Sequence, residues 1–287
     1  MKIMYDAMML DIGGTFVKYG VMQNGSFCLT GQFAIRQDGT AEEIQQPIVH
    51  FLAAHPASKV VICMPGPAQY KTGTSLMEHK FSAIRGVALK PWLERSLPGT
   101  EVLFLHDGVA FVLGEMMYGG LRDCSCGAGI MLGTGLGFGL CRQGKMLIRT
   151  VGSPAHPLWN APYLEGICEN YVSGRGIRRR WKAISGQEQD VHEIALLARA
   201  GNDQALELFY HTGKMLGEML CHHLVNWPVE KISIGGQIAR SWDLFADGFE
   251  NACSIPAHQA QHLDDAALWG NYAYAQHGDA LLEVTQP

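Results

Sequence analysis

One block of sequence occurs twice, and it constrains the fold more than any other feature. Met8-Met9-Leu10-Asp11-Ile12 runs into Gly13-Gly14-Thr15, then Phe16 to Met22, then Asn24-Gly25. Much later, Gly129 to Leu132 runs into Gly133-Thr134-Gly135, then Phe138 to Arg142, then Gln143-Gly144. A short apolar run bounded by turn residues reads as a buried strand, and Asn-Gly takes the positive φ at both positions that a two-residue hairpin turn demands. Each block therefore reads strand, Gly-Thr loop, strand, hairpin, with Phe27 to Ile35 supplying a third antiparallel strand in the first copy. Between and after the blocks, helical and strand patterns alternate. Ala41 to Ala54 carries Ile44, Ile48, Phe51 and Leu52 at helical spacing. Lys59 to Met64 is a strand ending in Pro65-Gly66-Pro67. A helix over Lys90 to Ser96 leads to a strand over Glu101 to Leu105 and a helix from Asp107 to Met117. Beyond the second block, helices are predicted over Gly176 to Ala183, Val191 to Arg199 and Asp203 to Leu224, then a strand over Lys231 to Ile234 and a closing helix near Asp265 to His277. A duplicated strand-loop-strand unit with alternating helices implies two similar α/β lobes with a cleft between them, the usual place for a ligand.

Composition agrees with that size of fold. The chain has 287 residues, and at about 150 residues per domain it makes two domains or one large one. Hydrophobic residues are 47% and charged residues 17%, which excludes a disordered chain. With 22 Lys and Arg against 27 Asp and Glu, the net charge of −5 leaves no basic excess for phosphate backbones or anionic membranes, so neither nucleic acid nor a membrane is an expected partner. Asp6 and Asp11 break the N-terminal apolar run, and no uncharged stretch approaches ~18 residues. A cytoplasmic protein is expected. The eight cysteines are scattered through apolar segments and read as free buried thiols. Cys124-Ser125-Cys126 lacks the second pair that a tetrahedral zinc site needs.

Three glycine turns and one aspartate carry the chemistry. Gly13, Gly14 and Thr15 follow a strand bearing Asp11, so bare N–H groups could face an oxyanion while the carboxylate reaches its cation. An ordinary tight turn explains the same residues. Gly133-Thr134-Gly135-Leu136-Gly137-Phe138-Gly139 holds four glycines in seven residues, costly in backbone entropy unless something approaches the chain closely. Gly137 and Gly139 alternate along a strand, where they could equally admit a neighbouring backbone. Gly235-Gly236 repeats the strand-to-glycine turn where an adenosine could lie. Asp107 stands where a strand ends and a helix begins. It reads either as a helix N-cap or as a general base that takes the proton of an attacking hydroxyl in phosphoryl transfer.

Taken in order, Asp11-Ile12-Gly13-Gly14-Thr15-Phe16-Val17-Lys18, Pro65-Gly66-Pro67, Asp107, Leu132-Gly133-Thr134-Gly135-Leu136-Gly137, Glu169 with Ser173-Gly174, and Ile234-Gly235-Gly236 resemble the ROK (repressor, open reading frame, kinase) sugar kinases along almost the whole chain. The resemblance implies an actin-like, ribonuclease-H-like ATPase fold. Its lobes would be residues 1–108, completed by the C-terminal helix 271–287, and 109–270, around a central cleft. It implies ATP and Mg2+, with phosphate passing to a hydroxyl, the 6-OH, of a hexose or hexose derivative. Asp107 would then be the base. Asp11, Gly13, Gly14, Thr15 and Lys18 would hold one phosphate site, with Asp11 toward magnesium, and Gly133, Thr134, Gly135 and Gly137 the other. Gly235 and Gly236 would lie on the adenosine side, and Gly66, His106, Asp107, Ser153, His156 and Glu169 around the sugar.

The chain departs from that pattern in the sugar pocket. His106 stands where the family usually has Asn, and Ser153 where it usually has Glu, so the pocket's hydrogen bonds must differ from those for glucose. Relatives with a structural zinc use His156 and three cysteines, whereas Pro157 to Cys168 reads PLWNAPYLEGIC, with Cys168 alone; no zinc is expected. Arg178-Arg179-Arg180 reads as a solvated helix face and His222-His223 as side chains that diverge on a helix. The family also contains repressors, whose DNA-binding segment precedes the kinase-like part. The first phosphate motif lies close to Met1 here, which favours a kinase over a repressor, with a non-catalytic sugar-binding regulator as the alternative. The reading leaves a homodimer open.

Overall fold

The computed structural model describes residues 4–78 and 80–285. β1 (Ala7–Ile12), β2 (Phe16–Gln23) and β3 (Ser26–Ala34) form an antiparallel meander, turned at Asn24 and Gly25 with φ of 53° and 76°, as the Asn-Gly pair requires. α1 (Ala41–Ala54) starts on a capping box between Thr40 and Glu43. After it come β4 (Lys59–Met64), the two-residue strands β5 (Ala68–Gln69) and β6 (Thr74–Ser75), α2 (Leu89–Ser96), β7 (Glu101–His106) and α3 (Asp107–Tyr118). The second block gives β8 (Cys126–Leu132), β9 (Leu136–Arg142) and β10 (Lys145–Ile148). The ribbon β11 (Pro162–Tyr163) and β12 (Gly166–Ile167) leads to α4 (Glu169–Val172), α5 (Gly174–Ser185), α6 (Val191–Arg199) and α7 (Asp203–His223). β13 (Lys231–Gly235), α8 (Trp242–Ala252), β14 (Ala257–Gln259), α9 (Ala266–His277) and β15 (Leu282–Val284) complete the chain.

These elements gather into two compact units. The first runs as far as Met117 and takes in Lys145–Ala155 and the chain from Asp265 on; the second is Tyr118–Gly144 with His156–Asp264. The lobe boundary expected at residue 108 thus falls inside α3. Segment 145–155, expected in the second lobe, belongs to the first unit, where β10 pairs in parallel with β15 and Val151 O accepts from Tyr70 N. The C-terminal segment expected over 271–287 joins the first unit from Asp265, because the buried Asn271 of α9 donates to Leu10 O. Of these ranges, residues 1–3, 79, 286 and 287 lie outside the described residues.

In the first unit the strands lie in the order β3-β2-β1-β4-β7, with β4 parallel to both β1 and β7. Met8, Met9 and Leu10 are fully buried, as a central strand covered on both faces must be. Ile44, Ile48 and Leu52 of α1 close one face. On the other side α3 and α9 meet backbone to backbone. A Cβ on Gly270 would lie 1.7 Å from Ala110 O, and one on Gly114 2.0 Å from Ala266 O. Gly270→Ala is therefore expected to lower stability by about 1–3 kcal/mol, despite alanine's better helix propensity, because no side chain can yield to a clash with backbone. A urea unfolding midpoint matching wild type would contradict that packing.

In the second unit the strands run β14-β13-β8-β9, with β13 parallel to β8 and β14, and β8 antiparallel to β9. α7 and α8 approach through Gly213 and Gly248, where added Cβ atoms would meet Phe245 O and Tyr210 O. Among the described residues no helix is long and apolar enough to cross a membrane.

Candidate active site

The parallel register of β1, β4 and β7 brings the acidic groups of the first unit together. Asp11 pairs with Cys63, Cys63 with Leu105, and Met64 with His106, so all three strands present chemistry at their C-terminal ends. Asp11 Oδ1 accepts from Cys63 Sγ at 3.4 Å. Burial and then the charge of Asp107 push the Asp11 carboxyl up to about 6, against the Cys63 hydrogen bond and the Lys18 ammonium. Lys18 stands opposite Asp11 on β2.

Asp107 is the first residue of α3. Its Oδ1 accepts from Gly108 N at 2.7 Å and lies 2.8 Å from His106 Nδ1. A capping side chain takes the N–H two or three residues on, not the next one, so the N-cap explanation open in the sequence does not account for this aspartate. Gly108 N–H also reaches His106 Nδ1, at 2.9 Å, so this ring nitrogen sits between the backbone donor and Asp107 Oδ1, and its pairing follows from the ring's tautomer. Burial alone would raise the Asp107 carboxyl, but the His106 and Gly108 donors and the Lys80 charge hold it below the usual range.

The remaining sugar-pocket candidates of the first unit surround Tyr70. A Cβ on Gly66 would lie 3.2 Å from Tyr70 Oη and 3.4 Å from His106 Nε2, so His106 turns its second nitrogen toward this glycine. The Tyr70 ring is 5.5 Å from that of His106, and its Cδ2 would meet a Cβ on Gly152 at 3.2 Å. Gly152 has φ +90° inside a turn in which Arg149 N donates to Ser153 O. Tyr70 thus joins Gly66, His106 and the turn bearing Ser153. Gly13 N donates to Phe16 O, and a Cβ on Gly14 would fall 2.8 Å from Gln37 Oε1, a buried oxygen without a hydrogen-bond partner. Thr15 completes this exposed turn.

The second unit gathers the other candidates. Gly133 N donates to Gly135 O, and Gly133 O accepts from Gly174 N at 2.8 Å, at the start of α5. Ser173 caps that helix by accepting from Gly176 N. Glu169 lies against the same loop: its Oε2 accepts from Leu136 N at 3.0 Å, its Oε1 from Arg175, and a Cβ on Gly135 would meet Oε2 at 2.7 Å. Within this unit Glu169 is therefore tied to the glycine loop containing Thr134. Gly137 pairs with Met131 inside β9 and admits that side chain. Gly235 ends β13, and Gly236, at φ +84°, would place a Cβ 2.3 Å from Leu132 O. Only glycine lets these two turns touch.

His156 adopts φ 53°; its carbonyl accepts from His223 Nε2, and its ring stands 5.1 Å from that of Trp227. The following segment closes as the β11–β12 ribbon, with Cys168 buried behind it. The purified protein is expected to contain no stoichiometric zinc, because Pro157 to Cys168 supplies one thiol where a tetrahedral site needs several ligands. Elemental analysis checks this, and one zinc per chain surviving dialysis against chelator overturns it. Cys63, Tyr70 and Lys80 were not singled out by the sequence. Only Cys63 carried a signal, since it sits as close to the end of its strand as Asp11 does to the end of β1.

The sequence model of the ROK family matches residues 7–277. The N-acetyl-D-glucosamine kinase of Aliivibrio salmonicida (strain LFI1238) is 26% identical over 94% of each chain. The structure of a ROK family glucokinase from Streptomyces griseus, in complex with glucose and AMPPNP, superposes with a TM-score of 0.75 at 22% identity, covering 95% of this chain and 99% of that one. A ROK family transcriptional regulator, homologous to the E. coli MLC protein, superposes with a TM-score of 0.81 at 18% identity, covering 96% and 78%.

Proposed function

Because the chain belongs to the ROK family, with the actin-like ATPase fold of its sugar kinases, we propose that it is an ATP-dependent kinase that transfers the γ-phosphate to a hydroxyl, the 6-OH, of a hexose or hexose derivative. The observation that carries this reading is the state of Asp107. Gly108 N–H is bonded to its Oδ1 and His106 Nδ1 lies 2.8 Å from the same oxygen, which orients the carboxylate and leaves Oδ2 as a proton acceptor. As the sugar oxygen forms its bond to the γ-phosphorus and the bond from that phosphorus to the β-phosphate oxygen breaks, the hydroxyl proton passes to Asp107 Oδ2, and ADP leaves.

The Gly13–Thr15 turn would hold one phosphate through the N–H groups of Gly14 and Thr15, and the Gly133–Gly137 loop another through those of Thr134 and Gly135, with Gly235 and Gly236 on the adenosine side. Asp11 fits magnesium: it is a hard oxygen donor whose carboxyl is raised by burial and then by the charge of Asp107, both of which a divalent cation offsets. When bound with ATP, that ion neutralises phosphate charge.

The substrate we favour is an N-acylated hexosamine. His106 turns Nε2 toward Gly66, where a ring nitrogen can hydrogen-bond the amide of such a sugar. The substrate of the Aliivibrio relative carries such a group. A coupled ATPase assay with Mg2+ across hexoses, amino sugars and glycosides tests turnover and substrate together, with the highest kcat/KM expected for an N-acylated sugar. The likeness to a transcriptional regulator supports a second reading, a sugar-binding regulator without turnover. Binding of a sugar with no ADP release would establish that reading and overturn the first.

A further inference from the structure

β4 lies between β1 and β7, so Cys63 lies between the strands that end in Asp11 and His106. Its side chain is fully buried, and its Sγ is 3.4 Å from Asp11 Oδ1. A carboxylate has no proton to give, so the thiol donates. Asn271 of α9 closes the pocket from behind. Its Nδ2 donates to Leu10 O at 2.9 Å and reaches toward Val61 O at 3.5 Å, while its Oδ1 is buried without a hydrogen-bond partner. The thiol lies beside this amide as well. A thiol has one proton, and here it goes to the aspartate.

We propose that Cys63 is a positioning residue for Asp11: its S–H fixes the carboxylate on the β4 side and leaves the second oxygen free for the magnesium nucleotide, a role that rests on the kinase reading above. A buried cysteine is otherwise a small apolar filler, and the two roles separate by substitution. Cys63→Val keeps an apolar side chain of similar size and removes the donor; Cys63→Ser keeps a donor. If the thiol positions Asp11, Cys63→Val loses about tenfold or more in kcat with the KM for sugar unchanged and the urea midpoint near wild type, and Cys63→Ser recovers most of the loss. If it only fills space, Cys63→Val turns over like wild type, and the proposal fails.

A second measurement does not depend on turnover. The S–H stretching band of Cys63, isolated as the infrared difference between wild type and Cys63→Val, is expected at the lowered frequency of a hydrogen-bonded thiol and should rise in Asp11→Ala. A band indifferent to Asp11→Ala overturns the proposal. A wild type that turns over no sugar overturns the kinase reading instead, while the infrared comparison still decides whether Cys63 holds Asp11.

Discussion

Asp107→Asn is expected to lower turnover by about a hundredfold or more while the protein stays folded. The substitution is conservative in the sense that matters here. Asp107 Oδ1 accepts from Gly108 N–H and lies 2.8 Å from His106 Nδ1, and an asparagine oxygen can take the same place. What changes is the other terminus, where an amide NH2 replaces the oxygen that takes the substrate's proton. The charge between His106 and Lys80 is lost too, but that region is partly exposed and the effect on stability should be small. The coupled assay measures the rate and far-ultraviolet circular dichroism the fold. Near-normal turnover by a folded Asn variant would remove Asp107 from the role of base.

The other large expected effect is a change of substrate. Wild type should use plain glucose poorly, and His106→Asn with Ser153→Glu should move preference toward it. His106 presents a single ring nitrogen, Nε2, beside Gly66, whereas Asn offers a donor and an acceptor on one short side chain, and Glu reaches farther than Ser and adds an anionic acceptor. A sugar hydroxyl left without its partner costs about 1–3 kcal/mol, or roughly 5- to 150-fold in specificity. Tyr70 couples the two positions, since its ring lies against His106 on one side and Gly152 on the other, so the two changes should not be additive. Specificity constants for the single and double variants across the sugar panel test this. A wild type that prefers glucose to every other sugar would refute the pocket argument and leave the kinase assignment standing.

Much of the architecture was legible because its signals are local. The apolar spacing of Ile44, Ile48 and Leu52 and the Asn24-Gly25 turn each lie within a few residues of what they specify, and both are present. α8 was missed although Trp242, Phe245 and Phe249 have helical spacing, since a short segment with Asp, Gly and Asn among them is ambiguous by itself. It becomes a helix by packing on α7 through Gly213 and Gly248. The ribbons of two or three residues, such as β11 and β12, are too short to carry a period.

By itself, then, the sequence determined two α/β blocks, their glycine turns, and an aspartate at the head of a helix, through propensity and periodicity that act within a few residues. Tertiary structure alone decided which groups meet there. Cys63 and Asp11 are separated by 52 positions, and Asn271 and Leu10 by 261. Their encounter follows from the register of parallel strands and from the glycine contact that seats α9 on α3. Even the partners of His106 Nδ1 are set by where Asp107 Oδ1 and Gly108 N come to rest, because a hydrogen bond reads distances of a few tenths of an ångström that no residue spacing encodes.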